Sequence, residues 1–556
     1  MNKVLLVITA VCLAWSVDVS AAKQHAAGAL PDLMVSSKGS YWQTGTFTKV
    51  TGATADVTVD ENSKKQSWEG FGGTFNEAGW DALSVVSSEI PNVMKLFFDA
   101  NDGANFVYGR IPIGASDYAM SSYTLDDSPN DYTMANFSIA RDQEKLIPFI
   151  KAALQVKSNI HLWGSPWIPP AWMKDGSGNM KSDAQTQGAY ALYLAKFVEE
   201  YAKENLKIEA VHPQNEPGYA SVRWDQTVFV NFFKTYLGPK FAERNLTAEI
   251  WCGTMSAPAD SNIAIACKND AAVMKYVKGF GLQWNLEAVV PNLAPKGRVW
   301  QTEHRCGNYN FDAKYWVTSR YDPNKPQNDH LYGEESWQLI RDWVAAGVNA
   351  YSAWNMVLDT SGKSTGNWHQ NALVVVNRVT KKVIITPAYY VFRHFSQYIT
   401  PGGTRLGTTG SNDALAFMNP DGTIITEVYN KNDTAMKMTI SVKSTFYQFT
   451  LPAHGWATLS VKPGSAINDK GHNQLPYNGG EFKATYTAQG YRIALPSRQS
   501  GHIELLTVTG RVLESRAIPQ GSREILLRTQ VSNSGMLLVR VVSGGATKTA
   551  LLPSTH

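Results

Sequence analysis

Two glutamates stand where acid–base chemistry on a sugar could be done. Glu216 lies in HPQNEPGYASVRW (212–224), between an asparagine and a proline, and Glu303 lies in RVWQTEHR (298–305). Alone, an Asn-Glu-Pro string is an ordinary turn carrying an exposed carboxylate. A pair is another matter. Cleavage of a glycoside with retention needs two carboxyl groups about 5 to 5.5 Å apart, one to attack the anomeric carbon and one to protonate the leaving oxygen. Positions 216 and 303 are 87 residues apart, so only a fold that returns to one face can bring them together.

Such a fold is written in the pattern from about 66 to 390, where short β-rich apolar runs alternate with longer segments of helical period. Eight strands are expected: 67–75, 106–114, 160–167, 208–216, 248–255, 279–285, 298–305 and 350–358. The clearest helical stretches are AYALYLAKFVEEYAKEN (189–205) and YGEESWQLIRDWVAAG (332–347), whereas the connections after strands five and six are short or irregular in pattern. This is the α/β pattern of a (β/α)8 barrel, whose active site lies at the carboxyl ends of the strands. There Glu216 ends strand four, Glu303 strand seven, Arg110 strand two and Trp167 strand three, with Trp354 and Asn355 in strand eight. Arg110 would keep Glu303 ionised, and the charge on Glu303 would keep the proton on Glu216. Asn215 would bind the sugar 2-hydroxyl.

Outside the barrel the period shortens to that of strands. Residues 391–462 predict a side β-sandwich, to which the N-terminal segment 22–65, through TFTKVTGATADVTVDE (46–61), adds strands. A polar Gly/Asn-rich linker follows at 463–482, then a further small all-β domain at 483–556, similar to bacterial sorting domains. The first 21 residues have the charged, apolar and small-residue order of a signal peptide, so a secreted or cell-surface protein of a bacterium-like cell is expected. A formal net charge of +4 over 556 residues, with no Lys/Arg block, argues against a nucleic-acid partner, and no membrane span is expected. Cys252, Cys267 and Cys306 allow one disulfide, and closeness in sequence favours Cys252 with Cys267. Ligand spacing for a metal is lacking, so neither metal nor cofactor is expected, and the protein should be a monomer.

The strings WEGFGGTFNEA, GRIPIGASDY, GSPWIPPAWMK, QNEP, WQTE and SAWNMVLD, in this order, resemble glycoside hydrolase family 30 over about residues 45 to 462. The resemblance implies a retaining β-glycosidase with Glu216 as acid/base and Glu303 as nucleophile. It also implies that Trp167 and Trp354 line the sugar site, that Asp117 accepts hydrogen bonds from hydroxyls of the non-reducing sugar, and that Asn371 is a polar loop position beside it. His212, His304 and His369 would be polar lining at most. One departure stands out: better-known members end strand six with a tyrosine that hydrogen-bonds the nucleophile, whereas GLQWNLE places Trp284 and Asn285 there. An amide can donate to a carboxylate as well. The substrate expected first is β-1,6-glucan, cleaved internally; a xylan, a β-1,6-galactan, a β-glucoside or a glucosylceramide are the alternatives. The competing class is a catalytically idle carbohydrate-binding surface protein, which would be expected to have lost a glutamate.

Overall fold

The computed structural model describes residues 30–218, 222–307, 322, 324–462, 483–487, 490–494, 500–507, 512–522, 524–527, 537–543 and 546–552. The expected signal peptide and linker lie outside the described residues. Two compact units are present, Leu30–Pro463 and Gly464–His556.

Eight parallel strands build the barrel of the larger unit: Gly70–Thr74, Tyr108–Pro112, His161–Ser165, Ile208–Val211, a fifth in two pieces, Gly279–Leu282, Arg298–His304 and Ala350–Asn355. The fifth strand explains how the ring closes. Its first piece, Glu249–Ile250, pairs with strand four, and its second, Thr254–Met255, pairs with strand six. Between them Gly253 takes a φ of +62°, which turns the chain from one neighbour to the other. Strand four is shorter than its sequence suggests. It stops at Val211, because Pro213 has no N–H to give to a ladder. The backbone beyond it is still pinned on both sides: Asn215 N–H bonds the Pro166 carbonyl at 2.8 Å, and Glu216 N–H bonds the Thr254 carbonyl at 2.8 Å.

The helices form where apolar period and caps agree. Ala184–Lys203 begins at Asp183, whose side chain accepts from Thr186 N–H, and buries Tyr190, Leu194, Phe197 and Tyr201. Leu331–Ala346 stops at Gly347, which adopts the left-handed conformation. After strand five a 12-residue helix, Pro258–Asn269, replaces the irregular connection expected there. After strand six only short turns follow, Glu287–Val289 and Val290–Leu293. Trp163, Trp251 and Trp300 pack inside the barrel around His212, with the Trp251 and Trp300 ring centres 3.9 Å apart. Much of the tryptophan content therefore fills core.

In the sandwich, Leu33–Ser37 pairs with Trp456–Val461, Thr48–Val50 with Thr445–Leu451, and Val57–Ser67 lies between Thr404–Thr409 and Met436–Val442. Their inward side chains, among them Leu33, Val57, Leu406, Ile440 and Leu459, form one core. The last barrel helix, Pro387–Tyr398, runs past the boundary expected at 390. Its His394 bonds Ser36 at 2.8 Å and Thr458 at 2.7 Å, tying sandwich to barrel. In the second unit, Lys483–Thr487, Gly490–Ala494 and Glu524–Leu527 make one antiparallel sheet, and Val512–Ile518, Gly501–Thr507, Leu537–Ser543 and Ala546–Leu552 another, around Ile493, Ile503, Leu505 and Val539.

The disulfide expected from sequence does not form: Cys252, Cys267 and Cys306 are buried free thiols, and Cys252 with Cys267 share a hydrogen bond. Among the described residues, no helix is long and apolar enough to cross a membrane.

Candidate active site

Arg110 organises the carboxyl ends of the strands. It sits in mid-strand two rather than at its end, and it is fully buried. Its Nη1 donates to Glu303 Oε2 at 2.6 Å; Nη2 donates to Asn215 Oδ1 at 2.7 Å and to Ser165 Oγ at 3.0 Å. The guanidinium also lies over the rings of Trp163, Trp167 and Trp354, at 5.2, 4.4 and 5.4 Å from their centres. Trp167 and Trp354 stack on each other with ring centres 5.0 Å apart. One cation thus touches strands two, three, seven and the segment after strand four.

Glu216 follows Asn215 directly and adopts a left-handed backbone, φ 49°, a conformation that costs a non-glycine residue energy and aims its side chain out of line with the strand. Its Oε1 accepts from Gln283 Nε2 at 2.9 Å, and Ser256 bonds the same carboxyl. Gln283 in turn takes the Thr302 hydroxyl on Oε1 at 3.1 Å. One hydrogen-bonded path therefore joins the glutamates, from Glu303 through Arg110, Asn215 Oδ1 and Gln283 Nε2 to Glu216, and Thr302, next to Glu303 in the chain, meets the other end of Gln283. Asp260 holds the outer wall, accepting from the backbone N–H groups of Gly218 and Ser256.

The electrostatics separate the two carboxyls. Burial, together with the charge of Glu303, pushes Glu216 up to about 7. Burial pushes Glu303 up to about 7 as well, but here the Arg110 charge and hydrogen bonds from Arg110 and Trp284 oppose it. Glu216 feels the charge of Glu303, so the two lose their protons as a pair, and the first negative charge settles on Glu303 because, of the two, among the described residues, it is the one paired with a cation. Asp117 is a third carboxyl of the set. Burial, then the charge of Glu216, pushes it up to about 7, and its Oδ1 has no hydrogen-bond partner in the structure.

At strand six the side chain of Trp284 donates to Glu303, from a left-handed backbone with φ 57°. Asn285, offered by the sequence as an amide donor, is exposed instead. Asn371 is buried and bonds the Gln327 carbonyl at 2.8 Å and, through its backbone, Gly307 at 2.8 Å, rather than either glutamate. Asn355 is taken up by Asn76 and Gln370. His212 is inside the barrel, its Nδ1 2.7 Å from the Gly253 carbonyl, and burial lowers it to about 3. His304 faces Tyr351 and Ser336, and His369 bonds the Ser361 carbonyl. Gln283, Ser165, Thr254, Ser256 and Thr302 are site residues that sequence reasoning missed; each lies at the carboxyl end of an expected strand, and that position was the available signal.

A site of this make can protonate a leaving oxygen and present a carboxylate to the carbon it leaves. Residues 68–399 match the Glycosyl hydrolase family 30 TIM-barrel domain, and residues 402–459 match the Glycosyl hydrolase family 30 beta sandwich domain. The chain is 27% identical over 448 residues to putative glucosylceramidase 1 of Caenorhabditis elegans, covering 74% of this chain and 83% of that protein. It is 26% identical over 429 residues to an endo-1,6-beta-D-glucanase of Aspergillus fumigatus, covering 70% and 84%. Among solved structures, an endo-beta1,6-glucanase superposes with a TM-score of 0.65 at 22% identity, over 77% of this chain and 99% of that one. Barrel, side sandwich and paired glutamates together have one family behind them: the chain is a glycoside hydrolase belonging to glycosyl hydrolase family 30.

Proposed function

We propose that the protein is an exported, retaining β-glycosidase that cuts β-1,6-linked glucan internally by double displacement. The observation that carries the mechanism is the unequal treatment of two buried carboxyls: Arg110 meets Glu303 at 2.6 Å, while Glu216 has an amide for a partner. Glu303 as carboxylate attacks the anomeric carbon while Glu216 gives its proton to the departing oxygen. With Glu303 then esterified, its charge no longer holds the proton on Glu216, which becomes the base that activates water. Asn215 keeps Oδ1 on Arg110 and Thr254, which leaves Nδ2 for the sugar 2-hydroxyl. The open Oδ1 of Asp117 accepts from a further sugar hydroxyl, and Trp167 and Trp354 wall the ring.

Similarity alone does not choose the substrate, since a glucosylceramidase and a β-1,6-glucanase match about equally. Two features favour the glucan. Strand six carries Trp284 where a tyrosine is expected of the glucosylceramidase branch. Among the described residues of the larger unit, the exposed large apolar side chains are Met120 and Val379, too few to make a rim for lipid tails. The test is a panel of β-1,6-, β-1,3- and β-1,4-glucans, xylan, β-1,6-galactan, glucosylceramide and aryl β-glycosides, with product lengths followed over time. Early release of short oligosaccharides from β-1,6-glucan is the expected result. Preference for glucosylceramide, or monosaccharide as the first product, overturns this reading in favour of an exo-enzyme, and no hydrolysis of any member supports the idle binding protein.

A further inference from the structure

We infer that Gln283 is a positioning residue that holds Oε1 of Glu216 as a hydrogen-bond acceptor and so confines the transferable proton to Oε2. The inference rests on the acid/base role proposed for Glu216.

Donor and acceptor polarity is fixed outward from Arg110. An arginine can only donate, so the Asn215 atom 2.7 Å from its Nη2 is the oxygen, Oδ1. The Thr254 hydroxyl reaches the same oxygen at 2.7 Å. The amide atom of Gln283 that faces this oxygen, at 3.5 Å, must then be the nitrogen, because an oxygen there would meet another oxygen with no proton between them. That same nitrogen lies 2.9 Å from Glu216 Oε1. The other end of the amide is compatible with this, Gln283 Oε1 lying 3.1 Å from the Thr302 hydroxyl, which is shared with the Leu282 carbonyl and by itself fixes no polarity. Gln283 is fully buried, so no water can stand in for a misplaced donor.

A fixed N–H donor at Oε1 favours that oxygen as the carbonyl of the protonated acid, because a carbonyl oxygen is a better acceptor than a carboxylic hydroxyl. The acid proton of Glu216 therefore sits on Oε2, and after transfer Oε2 is the oxygen free to take a proton from water. One oxygen gives and receives in both half-reactions while the other anchors the carboxyl. Ser256 also bonds this carboxyl, but a hydroxyl donates or accepts as required and fixes no polarity. Among the described residues, the charged and titratable groups bearing on Glu216 are Glu303, Asp260, Asp117 and Arg110, and a change at Gln283 removes none of them.

The experiment compares Gln283→Met, similar in length and without the amide, with the unmodified enzyme and with Glu216→Ala. Two substrates are used, the best-cleaved unactivated oligosaccharide of the panel and the dinitrophenyl glycoside of the same sugar, and kcat/KM is followed against pH. A hydrogen bond to a charged group contributes enough that kcat/KM of Gln283→Met on the oligosaccharide should fall about tenfold or more. KM should change little, and the alkaline limb should move up by about one pH unit, because ionised Glu216 loses its donor. On the activated glycoside, whose leaving group needs no proton, the loss should stay within about threefold. Equal losses on both substrates with an unmoved limb overturn the inference and leave Gln283 a packing residue. Should Gln283→Met fail to fold, Thr302→Val, which removes the hydroxyl that holds the far end of the Gln283 amide, must give the same leaving-group dependence at smaller size, and its absence is equally fatal. If Glu216→Ala itself loses both substrates alike, the acid/base reading fails and takes this inference with it; a normal Glu216→Ala beside an indifferent Gln283→Met sinks this inference alone.

Discussion

Arg110 has five N–H donors and no acceptor, and burial forces those donors onto the groups that the chemistry uses. A surface arginine in the same sequence string would have left Glu216 and Glu303 alike. Sequence alone pointed to Glu216, Glu303, Arg110 and Asn215, because carboxylates, a cation and an amide at strand ends are rare enough to be noticed. It did not point to Gln283, since a glutamine is unremarkable until the register of strands four, six and seven sets it between Asn215 and Thr302. It also divided strand six wrongly, offering Asn285 where Trp284 is the donor to Glu303. Replacing Trp284 by Phe should lower kcat/KM by about tenfold, the worth of a lost hydrogen bond to a charged group. The pH dependence gives the direction. As the proposed nucleophile Glu303 must be ionised, and burial already pushes it up to about 7; without the indole donor its carboxyl rises further, so the acidic limb moves to higher pH and the loss is greater at pH 6 than at pH 8. Asn285→Ala, on an exposed side chain, should stay within about twofold. The reverse ranking in a pH–rate comparison would return the donor role to the amide.

The strands place these groups through two irregularities. Pro213 stops strand four early, and the kink at Gly253 lets strand five serve both neighbours. Neither was legible, since a proline just beyond an apolar run also fits the end of a longer strand, and a lone glycine in a strand has many uses. The helix Pro258–Asn269 was missed because PADSNIAIACKN reads as a turn through its polar half. Helix Pro387–Tyr398 was cut short because its Tyr, Val and Phe residues share the composition of strands. Close approach within the barrel makes a sharp prediction at Gly281. A Cβ there would stand 2.5 Å from the Gly253 carbonyl oxygen and 2.9 Å from His212 Nδ1, whereas one on Gly188, in the helix Ala184–Lys203, would meet nothing within 4 Å. Gly281→Ala should destabilise the protein by about 1 to 3 kcal/mol, and Gly188→Ala should stabilise it by up to about 1 kcal/mol. Thermal unfolding of the two variants side by side checks the pair; equal midpoints would mean that the strands have room to part.

The two compact units bear differently on activity. Every group assigned to the site belongs to Leu30–Pro463, and the second unit has its own core around Ile493, Ile503 and Val539. A chain ending at residue 462 should therefore keep kcat/KM on a soluble substrate within about twofold of the full chain, as separate domains usually do. Loss of most activity in a truncated protein with an intact unfolding transition would give the second unit a part in the site. Removing the sandwich as well should cost the fold, because Val57–Ser67 would lose both its neighbours, Thr404–Thr409 and Met436–Val442. The broad architecture was legible because period and turn chemistry change sharply between barrel and sandwich.

The stereochemistry of azide rescue reads out the proposed division of labour between Glu216 and Glu303. Glu216→Ala should still form the glycosyl-enzyme from a substrate with a good leaving group, and added azide, attacking that intermediate without need of a base, should give the β-glycosyl azide. Glu303→Ala should be inert without azide and give the α-glycosyl azide with it. An α-azide from Glu216→Ala, or inverted product from the unmodified enzyme, would contradict the account.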